Sequence, residues 1–293
     1  MKKDQGTIKA NKITKRKKGV IKARSEFFRT ARYGLTLQEH RIIYYAILAG
    51  QQDGKPFEPV TLSIGSFREL FEVSGGNYYA ELRKLSKKLI GKSVEVAYRD
   101  QDGHHFKQAA WLTDITYHTK DGTVTITPNP ALKPFFEGKP FTTTEYYFLI
   151  RFTSQYAERL YELLKSMPYH TKPVVDFDIE DLVARLAAPP SCRNRYNNFL
   201  ARVLEPAIKD INEYTDLDVS IREKRGQYNK VSTVYFSVVQ KNVPKLADRV
   251  ERGEFTPPLS EDEQEIVMRE LLGEDGPGED VPGQLALDGS EVV

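Results

Sequence analysis

The chain has 293 residues and nearly balanced charge, 43 Lys and Arg against 41 Asp and Glu, a length that suits two domains of ordinary size. No apolar run reaches the ~18 residues of a membrane helix, and the basic N-terminus lacks the apolar core of a secretion signal. A single cysteine, Cys192, excludes an internal disulfide and suits a reducing cytoplasm.

The small net charge conceals segregation. Residues 1–24 form a basic arm, densest at Lys15, Arg16, Lys17 and Lys18. Residues 242–293 form a tail rich in Pro, Gly and acids, with Glu261, Asp262, Glu263 and Glu265 in one run. Both compositions predict disorder, and a disordered basic arm still adds phosphate contacts.

Between them, residues 25–138 read as a first domain. A helix is predicted over Leu37–Gly50 with Thr36 as its cap. A short helix, Ser66–Phe71, and a turn, Val73–Asn77, precede a helix over Tyr78–Ile90. Tyr78, Leu82, Leu85 and Leu89 make its apolar stripe. Val94 to Tyr117 then reads as a strand, a turn at Asp100–Gly103 and a second strand. Pro128, Pro130, Pro134 and Gly138 cluster at the domain's end.

Residues 139–241 read as a second domain with the same order of elements. Glu145–Phe152 is apolar and aromatic, as expected at an interdomain or dimer surface. A helix follows over Ser154–Met167, with Tyr156, Leu160, Leu163 and Leu164 inward. Asp178–Leu186 is a shorter helix, stopped by Pro189, Pro190 and Ser191. Phe199, Val203, Leu204, Ala207, Ile208 and Ile211 then recur at helical spacing, interrupted by Pro206, which predicts a kink. Leu217, Val219 and Ile221 alternate with polar residues, Arg225–Lys230 reverses the chain, and Val234, Phe236 and Val238 alternate back.

Helix, turn, helix and basic-tipped hairpin is the order of a winged helix-turn-helix, whose second helix fits the DNA major groove. The chain is therefore expected to be α+β, with tandem winged helix-turn-helix domains, a disordered basic N-terminal arm and an acidic C-terminal tail. The recognition helix of the second domain would present Arg193, Arg195, Tyr196, Asn197, Asn198 and Arg202. Arg can bridge guanine N7 and O6, and Asn can bridge adenine N6 and N7. Lys224, Arg225 and Lys230 at the wing tip would meet phosphate or the minor groove. In the first domain Arg83, Lys84, Lys87 and Lys88 share the outer side of the second helix and suit phosphates.

Several features together resemble the iteron-binding plasmid replication initiators, a superfamily with two winged-helix domains. They are TSQYAERLYELLK at Thr153–Lys165, FLARVLEPAIKDINEYTDLDV at Phe199–Val219, the basic turn and strand at Arg225–Val238, and in the first domain LTLQEHRIIYYAIL at Leu35–Leu48 and YAELRKLSKKLIGK at Tyr79–Lys92. The resemblance covers about residues 25–241. It departs at Leu200 and Ala201, where family members often carry basic residues and this chain has Arg202 alone. The resemblance implies double-stranded DNA with repeated origin sites as the target, host initiator and helicase as partners, and a bacterial cytoplasmic setting. It also implies a homodimer in equilibrium with monomer, the dimer repressing its own promoter and so controlling copy number.

The tail adds Gln284-Leu285-Ala286-Leu287-Asp288, which resembles the peptide that docks on the bacterial sliding clamp. Gln284 would serve as rim hydrogen bond, and Leu285 and Leu287 as apolar contacts; Asp288 replaces the usual aromatic. No catalytic residues, metal or cofactor are expected. His104 and His105 are adjacent, without the intervening apolar residue that a rolling-circle nickase's metal pair requires. His40, His118 and His170 are scattered, and Gly75-Gly76-Asn77 lacks the Lys of a phosphate loop. The rival readings are a transcriptional regulator without a replication role and, less favoured, a nickase.

Overall fold

The computed structural model describes residues 19–71, 78–193 and 195–241. The arm before residue 19, the turn read at Val73–Asn77 and the acidic tail lie outside the described residues.

Strand β1 (Val20–Arg24) leads through helix α1 (Ser25–Thr30) to the 16-residue helix α2 (Leu37–Gln52). The start of α2 follows from its cap. Thr36 Oγ1 accepts from the Glu39 N–H at 3.3 Å, and the Glu39 carboxylate accepts from the Thr36 N–H at 2.9 Å, so two of the helix's orphan donors are satisfied reciprocally. From Ile42 to Gly50 every residue is buried. Trp111, fully buried, stands edge-on to Phe27, Tyr33 and Tyr44. Removing such rings from water is the largest apolar contribution a core of this kind has.

The first winged helix then runs β2 (Val60–Ser63), α3 (Ile64–Phe71) and α4 (Tyr78–Ile90). Two hairpins follow, β3 (Ser93–Asp100) with β4 (Gly103–Ala110), and β5 (Leu112–His118) with β6 (Thr123–Pro128). A three-stranded sheet has the order β2-β6-β5, while β3-β4 is a separate sheet.

Strand β7 (Phe141–Glu145) pairs with β1, and α5 (Tyr146–Leu149) and α6 (Gln155–Lys165) follow. The second winged helix runs β8 (Val174–Asp178), α7 (Ile179–Arg185) and α8 (Pro190–Arg193). Its recognition helix has three pieces: α9 (Tyr196–Phe199), a π-helical turn (Leu200–Leu204) and α10 (Glu205–Tyr214). The wing is β9 (Leu217–Arg225) with β10 (Val231–Gln240), in a sheet of order β8-β10-β9.

The two sheets correct one reading. In each, a strand before the first helix of the motif pairs with the last strand of the motif, so β5–β6 is the counterpart of β9–β10. The hairpin predicted as the first wing, with its turn at Asp100–Gly103, is therefore an additional hairpin inserted after α4. The single strand expected up to Tyr117 breaks at Trp111. Its N–H donates to the Lys92 carbonyl at 3.0 Å and its carbonyl accepts from Asn129 at 2.9 Å. The chain changes partner there, from β3 to β6, because the indole must enter the core.

Strands β2, β6 and β8 are not announced by the sequence pattern, and Val20–Arg24, expected in the basic arm, is a strand. Ile21 and Ala23 of that segment are buried, and it pairs with Phe141–Glu145, which was read into the second domain. Glu145–Phe152 packs inside the chain. Tyr146, Leu149 and Phe152 are buried, the Tyr146 hydroxyl donates to the Arg41 carbonyl at 2.9 Å, and Arg41 donates to the carbonyls of Ile150 and Phe152.

Helix α6 joins the two winged helices and is buried on nearly all sides, including Glu158, Arg159 and Glu162. Arg159 donates to the carbonyls of Phe28 at 2.8 Å and Ala31 at 2.5 Å. His40 of α2 places Nδ1 2.5 Å and Nε2 3.6 Å from the carboxylates of Glu158 and Glu162 respectively. At the other side of α6, Asp210 of α10 accepts from the backbone N–H of Thr153 and of Ser154, each at 2.7 Å, and from the Thr153 hydroxyl at 2.9 Å. Arg32 of the first domain and Asp181 of α7 form an ion pair at 2.9 Å.

Candidate nucleic-acid interface

The recognition helix of the second domain carries its own solution to Pro206. Proline has no N–H and would leave the Arg202 carbonyl unpaired in a regular α-helix. Here the Glu205 N–H reaches five residues back to the Leu200 carbonyl, a π-type bond just before the proline. Pro206 then occupies the first turn of α10, where a missing donor costs nothing. The wider turn also suits the sequence. Phe199, Val203, Ala207 and Ile211, all buried, step four residues at a time. At 3.6 residues per turn that stripe drifts by about 40° per step, and the π turn takes up part of the drift.

This arrangement sets the exposed side. Arg195, at the N-cap position, Asn197 and Arg202 are exposed. Asn198 is half-buried and its amide donates to the Ser191 carbonyl at 3.2 Å, which ties the helix start to α8. Tyr196 is also half-buried. Burial first, then the adjacent Glu223 carboxylate, pushes its phenol up to about 12. Arg193 ends α8, and its side chain lies outside the described residues.

On the wing, Lys224 and Lys230 are exposed. Arg225 is engaged internally: Nε donates to Glu223 at 3.0 Å, Nη1 donates to the Asn229 carbonyl at 3.1 Å, and Nη2 also meets Glu223. Glu223 therefore touches both the start of the recognition helix and the wing tip, a role no sequence pattern announces. In the first domain Arg83, Lys84, Lys87 and Lys88 are all exposed on α4, opposite buried Leu82 and Leu89. The tip of that domain's true wing lies between His118 and Thr123, with Lys120 exposed.

Residues of both recognition helices line one groove: Leu85 and Lys88 of α4 and Arg202 and Pro206 of the second, together with Thr36 and Gln155. Its volume is about 660 Å³. Of the ten helix residues expected from the sequence, Lys88 and Arg202 line this groove, and Arg193 belongs to α8 instead of the recognition helix. Gln284, Leu285 and Leu287 lie outside the described residues. Among the described residues, no three His, Cys, Asp or Glu side chains are placed to hold a metal ion, and no helix is long and apolar enough to cross a membrane. His105 is stacked on Tyr98 and bonded to Asp100 at 2.6 Å in the extra hairpin.

The architecture is that of a double winged-helix protein. Residues 20–165 match the family described as initiator replication protein, WH1, and residues 178–238 match initiator Rep protein, WH2. The chain belongs to this replication initiator family. Its fold is similar to a crystal structure of the Pi initiator protein in complex with iteron DNA, with a TM-score of 0.55 and 19% identity over 78% of this chain and 99% of that one. It is also similar to the WH1 domain of MSBI1.176, a replication protein isolated from a multiple sclerosis patient. That likeness has 27% identity over 35% of this chain and 80% of that one, at a TM-score of 0.29.

Proposed function

We propose that this chain starts plasmid replication by binding repeated duplex sites at an origin, using both winged helices at once. One observation carries the proposal: each of the two winged helices presents exposed cations on its recognition helix, Lys84, Lys87 and Lys88 in the first and Arg202 in the second, with Arg195 at its N-cap. Two helices placed in successive major grooves on one face of a duplex span about 20 base pairs, the length of one repeat. Family membership and a fold shared with an initiator crystallised on iteron DNA support the same reading.

In this reading Arg195, Asn197 and Arg202 contact bases, with the remaining Asn198 donor and oxygen available beside its bond to Ser191. Arg83, Lys84, Lys87, Lys88, Lys224 and Lys230 contact phosphate. The protein bends or opens the neighbouring duplex, recruits host initiator and helicase, and performs no catalysis itself. It passes between monomer and homodimer, the dimer repressing its own promoter and limiting copy number. Gln284, Leu285 and Leu287 dock on the sliding clamp, and the setting is the bacterial cytoplasm.

The test is a mobility shift and footprint on the DNA flanking the gene. Direct repeats of about 20 base pairs, bound at least ~1,000-fold more tightly than unrelated DNA, are the expected result. A lone inverted repeat as the bound site would favour a transcriptional regulator, and a cut strand in the origin would favour a nickase.

A further inference from the structure

The wing of the second domain ends in an aromatic ring with nothing to pack on. Tyr228 is 85% exposed, more than any other large hydrophobic residue among those described. Its backbone is left-handed, with φ 57° and ψ 27°, and Asn229 after it has φ 58°. Two successive left-handed residues suit a tight hairpin turn, but a ring at the first of them carries a steric cost that glycine avoids. The turn is nevertheless firmly held. The Gly226 N–H donates to the Lys230 carbonyl at 2.8 Å, and the Lys230 N–H donates to the Gln227 carbonyl at 3.3 Å. Arg225 clamps the Asn229 carbonyl while paired with Glu223.

We infer that Tyr228 is the wing's contact with DNA, its ring seated in the minor groove beside the recognition-helix site, and that Arg225 at the same tip is a brace. The inference rests on the DNA-binding reading above. The groove follows from the layout, because the 196–214 helix takes the major groove and the wing extends from the same domain alongside it. Minor-groove walls are sugar faces, apolar enough to accept a ring, and aromatic or apolar wedges are a recurrent device there. Exposed Lys224 and Lys230 flank the ring and suit the phosphates on either side. Glu223 would otherwise be a carboxylate close to those phosphates. Its pairing with Arg225 removes that repulsion, so the arginine acts through the tip rather than by touching DNA.

The experiment uses the full chain and a synthetic duplex carrying the repeats that flank the gene. Tyr228→Gly should weaken binding roughly 5- to 150-fold, the range for one aromatic stacking contact, while its melting temperature stays level or rises because glycine relieves the left-handed strain. Tyr228→Phe should bind as the wild type does, since the ring and not the hydroxyl makes the contact. A hydroxyl-radical footprint of Tyr228→Gly should lose minor-groove protection beside each repeat and keep it at the repeat centres. Arg225→Ala should lower affinity and melting temperature together. Unchanged affinity and footprint for Tyr228→Gly overturn the inference. So does a fall in melting temperature parallel to the loss of binding, which would make the ring structural. A wild-type chain that ignores the repeats sinks the initiator reading and this inference with it; a wild type that binds, with Tyr228→Gly equal to it, sinks this inference alone.

Discussion

His40 should make the protein less stable as the solution turns alkaline. The imidazole is fully buried between α2 and α6, which by itself favours the neutral form. The carboxylates of Glu158, at 2.5 Å, and Glu162, at 3.6 Å, outweigh burial and push His40 up to about 9 from 6.5. Arg159 and the Tyr33 hydroxyl, 2.5 Å from Glu162, face the same cluster, and Glu162 is held below the usual range although burial opposes this. Glu158, with fewer partners, is pushed up by burial. Between pH 6.5 and about 9 the folded chain keeps the His40 proton and the unfolded chain has lost it. Stability must therefore fall by about 1.4 kcal/mol per pH unit across that window, about 3 kcal/mol in all. Below 6.5 the contribution is fully present. Urea unfolding of wild type and His40→Gln from pH 6 to 9.5 isolates the term as a difference between their slopes. The variant should be less stable at pH 6.5 and should approach the wild type near pH 9.5. Parallel curves, or a difference that grows as pH rises, would refute the reasoning.

Arg195→Ala with Arg202→Ala should remove preference for the cognate repeat by about 1–3 kcal/mol per lost base contact, leaving weak, salt-sensitive binding in a competition assay; a wild-type preference ratio would show that this helix does not read bases. Lys84, Lys87 and Lys88 changed to Ala should make the log–log salt dependence of affinity shallower by about 2.7, three phosphates at ~0.9 each, and an unchanged slope would mean that α4 faces solvent. Asp210→Ala should lower stability by about 3 kcal/mol, since three donors lose a buried charged acceptor; a shift under about 1 kcal/mol would show that water replaces it. Pro206→Ala restores a donor opposite the Arg202 carbonyl, so the π turn can close to a regular helix and rotate the segment before it; cognate affinity should fall with no loss of melting temperature, and full affinity would show that the turn does not set the reading face.

What was legible in the sequence was local. The cap at Thr36, the Tyr78–Ile90 helix and the 217–240 hairpin all announce themselves through short-range patterns, and the structure has all three. Pro206 foretold an irregular helix, although the observed device is a π turn. The illegible parts depend on distant partners. Val20–Arg24 is basic and short, and only pairing with Phe141–Glu145 makes it a strand. The extra hairpin could not be told from a wing, because the distinction lies in which strand meets Val60–Ser63. The same limit applies to the interface. Exposed Lys and Arg on one helix face could be read from spacing, whereas the pairing of Arg225 with Glu223 needs the folded wing.

The joint between the winged helices holds their recognition helices at a set separation. Close packing already resists displacement, and polar contacts with fixed geometry add to that resistance. This joint is built from polar contacts: the ion pair of His40 with Glu158, the bonds of Arg159 to two carbonyls of the 28–31 segment and of Asp210 to Thr153 and Ser154 at the cap of α6, and the ion pair of Arg32 with Asp181. Each bond has a narrow geometry, and several of the groups are charged and buried, so a displaced joint leaves them unpaired at high cost. The separation of α4 from the 196–214 helix is thereby fixed before DNA arrives. On the reading above, a duplex whose grooves match that separation is bound without reorganisation. One whose sites are spaced a base pair too far must twist or must break the joint. Spacing is then discriminated by the protein's interior, and base identity by its surface.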